Sequence, residues 1–330
     1  MPPAISVVIP SYNRAALIGE TLESVLGQSQ PPAEVIVVDD GSTDGTQAVL
    51  ESFGPRITWF GIPNSGQHVA MNTGLRRARG ELVAFCDSDD LWLPDHLARL
   101  GRLFLLEPGV TAAFGNFRIL REGGLEEGDK FATAPPGYWE GMERPEPGFG
   151  LFRQAIVARM VGFTPFFPSA TMVQAARFRA LGGWDEVVGR VMSMDFATTL
   201  LLAEQPPIGI SLQPTVAVRK HAGNFSGDVQ KMNLGDAAIL DYALRTRPSL
   251  APLAGLIRAD IAKRRLAALD TAFARRDYAG VEEIRALLGP GRLPGRAALK
   301  AAIAALPAPL RGPLAGALLV AGTLKGRVRG

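Results

Sequence analysis

Glu81-Leu82-Val83-Ala84-Phe85-Cys86-Asp87-Ser88-Asp89-Asp90 decides how the chain is read. An apolar run of strand length ends abruptly in acids, as a buried parallel strand does where its carboxyl end opens onto a ligand-binding edge. Upstream, Ile5–Ile9, Val35–Val38 and Ile57–Phe60 are runs of the same kind, each bounded by Pro, Gly, Asn or Asp. Ala15–Leu26, Thr46–Phe53 and His68–Arg79 lie between them and have helical length and spacing. This alternation predicts an α/β fold, an open and mostly parallel sheet with helices on both faces. Ligands of such sheets bind at the carboxyl ends of the strands. Downstream, residues 121–168 are rich in Gly and Pro and predict a long ordered excursion or a lid. Strand character returns at Ser169–Val173 and Thr215–Val218, helix at Ala176–Leu181 and Phe196–Ala203, and from about residue 231 the chain is Ala/Leu/Arg-rich and helix-forming.

The 330 residues are 47% hydrophobic and 20% charged, which gives material for a core and excludes a disordered or collagen-like chain. A single cysteine, Cys86, excludes a disulfide framework and a thiolate zinc cluster, and its place in the run makes it a buried strand residue. Met1-Pro2-Pro3-Ala4 leads into the first strand without a basic region or a long apolar segment, which predicts a cytoplasmic chain. No G-x-G-x-x-G follows a strand and no G-x-x-x-x-G-K-[ST] occurs, which disfavours a dinucleotide-binding dehydrogenase and a P-loop NTPase. The net charge of +3 conceals a split. Residues 251–330 carry 14 Lys/Arg against 5 Asp/Glu, a net of +9, and residues 1–250 a net of −6.

Four strand ends carry the polar residues: Pro10-Ser11-Tyr12-Asn13-Arg14, Asp39-Asp40-Gly41-Ser42, Asn64-Ser65-Gly66 and Asp87-Ser88-Asp89-Asp90. Alternate acids on a turn suit a hard cation, Mg²⁺ or Mn²⁺, held by one or two carboxylates together with substrate phosphates. An isolated pair of this kind is also the pattern of a helix-capping turn, and the same holds for Asp39-Asp40. The sharper reading comes from company on one sheet edge. There Tyr12 offers an aromatic face for a base, Asp40 an acceptor for a base or ribose, and Asp87 an acceptor for ribose hydroxyls.

In combined order, these segments resemble the family-two glycosyltransferases, inverting enzymes of the GT-A fold that use nucleotide-diphospho-sugars. The resemblance rests on residues 6–14, 37–46, 72–80 and 85–90, continues through Leu181-Gly182-Gly183-Trp184-Asp185-Glu186 and residues 219–224, and so covers roughly 4–226. It implies a nucleotide-binding half over 1–120, an acceptor half over 121–230 and a C-terminal helical appendage over 231–330. It implies that Pro10, Tyr12 and Asp40 hold the base, with Ser11, Arg14, Asn72 and Ser88 also lining the nucleotide-sugar site. Asp87 would meet ribose, Asp89 would ligate Mg²⁺ or Mn²⁺ with His221 nearby, and Trp184, Asp185 and Glu186 would shape the acceptor pocket. Asp195 matches the second member of the family's acid pair, the catalytic base, while Met194 replaces the first. Met71 stands where many members carry an arginine near the diphosphate; Arg14, Arg76 or His221 are the cations left to compensate. His68 reads as a helix-end residue and His96 as a surface one.

The implied donor is a nucleotide-diphospho-sugar, expected to be a UDP-sugar, and the acceptor a hydroxyl of a glycan, glycolipid or lipid-linked intermediate. The alternatives are a sugar-phosphate nucleotidyltransferase, which the chain disfavours by lacking a Gly-rich basic first loop, and a degenerate transferase serving as a scaffold or glycan-binding module. No acid follows Glu283, and Pro313–Leu324 is too short an apolar stretch to span a bilayer. The tail therefore suits an anionic membrane surface at the inner face of the cytoplasmic membrane. A helical appendage packed on the catalytic domain or a homodimer contact is the other reading. Scarce aromatics in the basic segment argue against nucleic acid.

Overall fold

A computed structural model describes residues 3–189, 191–221, 227–291 and 293–327, with side chains to 318. The chain divides into two compact units, Met1–Asn224 and Phe225–Gly330, against a composition break read near residue 230.

The first unit runs β1 (Ile5–Ser11), α1 (Ile18–Leu26), β2 (Glu34–Asp39), α2 (Thr46–Ser52), β3 (Thr58–Gly61), α3 (Gln67–Arg77), β4 (Leu82–Phe85), β5 (Leu91–Trp92), α4 (His96–Leu106), β6 (Ala112–Arg121) and β7 (Gly124–Asp129). It continues through β8 (Phe149–Phe152), α5 (Val157–Gly162), β9 (Thr171–Gln174), α6 (Ala175–Ala180), α7 (Asp195–Leu202) and β10 (Ile208–Arg219). Among the described residues, ten strands form one sheet in the order β3-β2-β1-β4-β9-β6-β10-β5, with β7 beside β6 and β8 beside β10. The expected parallel sheet is present through β3-β2-β1-β4. Beyond β4 the sheet is mixed, because β9 runs antiparallel between β4 and β6 while β6 and β10 are parallel. The Gly/Pro-rich excursion supplies β7, β8 and α5.

Buried branched residues hold this together. β1 is buried along its whole length, with Ile5, Val7 and Ile9 packing against Ile18, Leu22 and Val25 of α1 and Leu97, Leu100 and Leu103 of α4. On α3, Gly74 permits a close approach to β1, since a Cβ there would lie 2.4 Å from Val8 Cγ1. Helix and strand are thus locked at the height that sets their ends beside one another.

The second unit is helical: α8 (Val229–Thr246), α9 (Ala254–Ala274), α10 (Tyr278–Leu288), α11 (Gly295–Ala304) and α12 (Ala308–Arg327). Asp228 caps α8 by accepting from the Gln230 and Lys231 amides, which satisfies two of the helix's open donors. Ala268, Leu269, Phe273, Val281, Ile284, Ala301 and Ala304 form its core. Arg264 is held between Asp236 and Asp260 with little exposure on any of the three.

Candidate active site

The loops after β1 and β2 are knitted together by side chains that the sequence places within a few residues of the strand ends. The Asp40 amide donates to the Ser11 carbonyl at 2.7 Å. Asn13 donates its amide to Ser42 Oγ and accepts from the Thr43 amide with Oδ1, each at 2.8 Å, and the Arg14 amide donates to Thr46 Oγ1 at 2.8 Å. Asn13 sits at φ 51, a left-handed conformation that asparagine tolerates better than most residues. Asp39 accepts from the Ser42 amide and from Gln47 Nε2, so it braces its own loop. The Asp40 carboxylate accepts from the Ser65 amide at 2.6 Å and the Gly66 amide at 2.8 Å, at the start of α3. A carboxylate has about four lone-pair sites, so acceptor capacity remains at Asp40. Tyr12 is 45% exposed beside this frame, and Pro10 and Ser11 are buried in the strand end.

The acid turn after β4 is fixed at both ends by one residue. Ser169 accepts from the Asp87 amide with Oγ and from Trp92 Nε1 with its carbonyl, each at 2.8 Å. Gln67 Nε2 donates to Asp87 Oδ1 at 2.6 Å. The Ser88 carbonyl accepts from Thr21 Oγ1 of α1. Asp90 Oδ1 accepts from the Arg219 amide at 3.0 Å, and Arg219 Nε donates to the Asp89 carbonyl at 3.0 Å while its Nη2 reaches Glu20 Oε2 at 2.6 Å. The end of β10 is thereby stitched to the turn. Asp89 Oδ2 meets both Arg14 Nε at 3.3 Å and His221 Nε2 at 3.1 Å.

Electrostatically this cluster is short of positive charge. Burial, and then the charges of Asp90, Asp89 and Asp195, push the Asp87 carboxyl well above the ordinary carboxylate range. Burial and Asp89 raise Asp90 to about 7, against the Ser169 hydroxyl, the Arg219 amide and Lys220, which pull the other way. Among the described residues no three or more His, Cys, Asp or Glu side chains close into a metal cage. Hard carboxylate oxygens with an excess of negative charge nevertheless fit a divalent cation whose other ligands come from phosphate and water, the usual manner of Mg²⁺ and Mn²⁺ at nucleotide sites.

Gly182-Gly183-Trp184-Asp185-Glu186 is bound from two sides. Asn72 of α3 accepts from the Trp184 amide and donates Nδ2 to the Trp184 carbonyl and to Glu186 Oε1, at 2.7 to 2.8 Å. Its side chain therefore braces this turn, whereas the resemblance had set it toward the nucleotide-sugar. The Asp185 amide donates to Thr198 Oγ1 of α7 at 2.9 Å, and the Asp185 carbonyl lies 2.7 Å from His68 Nδ1. The Trp184 ring is 1% exposed and packs edge-on against Phe85 and Phe178, so it serves as core rather than as a free face for an acceptor. Asp185 and Glu186 are the polar members of this turn, and Arg76 Nη1 lies 3.9 Å from Glu186. Asp195 is the first residue of α7, so the turn and the candidate base share one support. Met71 is fully buried in α3 and brings no charge. His96, expected at the surface, is fully buried against Trp92. The sequence reading missed Gln67 and Ser169, whose only signal is their position next to a loop read for other reasons.

The family described as Glycosyl transferase family 2 matches residues 6–147. TuaG of Bacillus subtilis, a glycosyltransferase whose name assigns it provisionally to teichuronic acid biosynthesis, is 42% identical over 137 residues, 40% of this chain and 54% of that protein. The GalNAc(5)-diNAcBac-PP-undecaprenol beta-1,3-glucosyltransferase of Campylobacter jejuni is 35% identical over 130 residues, 38% of this chain and 41% of that protein. The chain thus spans about half, or less, of the length of these relatives. Among solved structures, the mannosyltransferase PcManGT of Pyrobaculum calidifontis, determined with GDP-Man and Mn²⁺, aligns over 98% of this chain and 80% of its own with a TM-score of 0.54 at 22% identity. S. aureus TarS 1–349, determined with UDP-GlcNAc, aligns over 91% and 90% with a TM-score of 0.54 at 17% identity. The sheet with its flanking helices is therefore the GT-A fold, and residues 6–147 match the family described as Glycosyl transferase family 2.

Proposed function

We propose that the protein transfers a sugar from a nucleotide-diphospho-sugar to a hydroxyl of a glycan or lipid-linked acceptor, with inversion at the anomeric carbon and Asp195 as general base. The observation that carries this is the placement of Asp195 at the start of α7, near enough to the strand-end acids for its charge to raise Asp87. The loops after β1 and β2 form the nucleotide wall, with Tyr12 exposed for a base and Asp40 keeping acceptor capacity. PcManGT bound to GDP-Man with Mn²⁺ and TarS bound to UDP-GlcNAc support a nucleotide-sugar donor, and the TarS complex supports UDP. The name of the Campylobacter relative supports a lipid-linked acceptor.

Asp89, with Asp87 beside it and His221 at its carboxylate, would hold a divalent cation that neutralises charge developing on the leaving diphosphate. Asp195 takes the proton of the acceptor hydroxyl as it attacks; such general-base help is worth about 10²- to 10⁴-fold. Asp185 and Glu186, held by Thr198 and Asn72, offer carboxylates to acceptor hydroxyls beside that base. The basic helices of the second unit would keep the enzyme at the cytoplasmic membrane surface, where lipid-linked acceptors reside. Asp195→Asn should lower turnover of nucleotide-sugar by at least 100-fold and leave UDP affinity within about twofold, by calorimetry. Retention of most of the rate would remove Asp195 as the base.

A further inference from the structure

Asp89 Oδ2 is held by two groups, and one of them is a permanent cation. Arg14 Nε lies 3.3 Å from it, with side-chain exposures of 28% for the arginine and 14% for the aspartate. The same guanidinium donates through Nη1 to the Tyr12 and Asn13 carbonyls at 3.3 and 3.1 Å. Its direction is set by the neighbouring loop, through the left-handed Asn13 and the bonds from Asn13 and Arg14 to Ser42, Thr43 and Thr46. The Asp89 charge acts on both Asp87 and Asp90, Asp195 acts on Asp87, and Lys220 acts on Asp90. A built frame thus points an arginine at the one carboxylate that a nucleotide-bound cation would require.

We propose that Arg14 is a displaceable stand-in for that cation. In the free enzyme its guanidinium neutralises Asp89, and when nucleotide and cation arrive together it transfers to the diphosphate. The inference rests on the donor-site reading above. A guanidinium and a divalent cation repel one another at a shared oxygen, so a cation arriving alone must break the ion pair without compensation. A diphosphate arriving with it supplies oxygens that accept the released guanidinium, an anion geometry that arginine suits well. Metal and nucleotide therefore bind cooperatively, and metal alone binds weakly. By linkage each strengthens the other by the same factor.

Titration of the full chain with Mn²⁺, alone and with saturating UDP, tests this by electron paramagnetic resonance of free Mn²⁺ and by calorimetry. In the wild type UDP should tighten Mn²⁺ binding. Arg14→Gln should tighten Mn²⁺ binding in the absence of nucleotide by roughly 5- to 20-fold, a coupling of the usual size, while reducing the gain that UDP brings. Arg14→Lys, which keeps a charge but not the fork, should fall between, and it serves as the second variant if Arg14→Gln fails to fold by circular dichroism. Unchanged or weaker Mn²⁺ binding in the folded variants, with UDP coupling intact, would overturn the stand-in role alone. A wild type that binds no Mn²⁺ even with UDP would overturn both this role and the metal-dependent donor site beneath it.

Discussion

The imidazole of His96 stacks on Trp92 with ring centroids 4.3 Å apart and places Nδ1 2.8 Å from Thr215 Oγ1. Burial lowers it to about 3, against about 6.5 in an unfolded chain. Because the folded value is the lower one, the unfolded state binds more protons between roughly pH 3 and 6.5, and stability falls as acid is added through that window. Between pH 7 and 5 this single group contributes a loss of about 2 kcal/mol. The raised carboxyls of Asp87 and Asp90 act in the opposite direction, so the comparison must be with a variant that retains them. Urea unfolding should show the wild type losing about 2 kcal/mol more than His96→Gln between those two pH values, and equal losses would show that His96 is free to charge. Sequence could not place this residue, because a histidine after Pro94-Asp95 reads as surface unless one knows that β5 brings Trp92 beneath it.

At the scale of elements, the turn between α6 and α7 sets the candidate base through two glycines of different burden. Gly182 has φ 96, and a Cβ added there would meet nothing within 4 Å; Gly183 has φ 74, and a Cβ there would lie 2.4 Å from Asn72 Oδ1. Gly182→Ala should cost about 1 kcal/mol for the backbone alone, and Gly183→Ala roughly 2 to 3 kcal/mol because Asn72 must also give way. Turnover should fall only in the second, since Asn72 carries Glu186. Chemical denaturation and initial rates of both variants check this, and equal costs would mean that the turn is not seated on Asn72. Legibility divides along the same sheet. β1, β2 and β4 were readable because parallel strands buried on both faces are nearly continuous apolar runs, while β3 lies at the sheet edge and is at most half-buried. β5 is two residues long and β7 is a charged, largely exposed hairpin arm, so neither has a pattern of its own and each exists through its partner strand. The strand-end loops were legible as chemistry, but the partners of Asn72, Gln67 and Ser169 lie 20 to 114 residues away, and spacing alone cannot reveal them.

Over the whole molecule, the opposed charges of −6 for residues 1–250 and +9 for residues 251–330 fall on unlike architectures. In the second unit Leu299, Leu310 and Leu314 are exposed on α11 and α12, and no acid follows Glu283. Among the described residues no helix is long and apolar enough to cross a membrane. Exposed leucines on a segment of net positive charge suit the surface of an anionic bilayer, where each cation is worth about 1 kcal/mol. The full chain should therefore cosediment with vesicles containing phosphatidylglycerol, bind poorly to phosphatidylcholine alone, and release as salt rises from about 0.05 to 0.5 M. Equal binding to both lipids, or to neither, would refute the membrane role.

The double grip of Ser169 bears on how such an enzyme can change its donor. A loop pinned at the Asp87 amide and again through Trp92 resists widening by bending, since either movement breaks a hydrogen bond, the one to Asp87 partly buried and the one to Trp92 fully so. A different donor must then fit the acid turn as it stands, and libraries aimed at new acceptors rather than new donors belong at Asp185 and Glu186, the carboxylates proposed to meet acceptor hydroxyls.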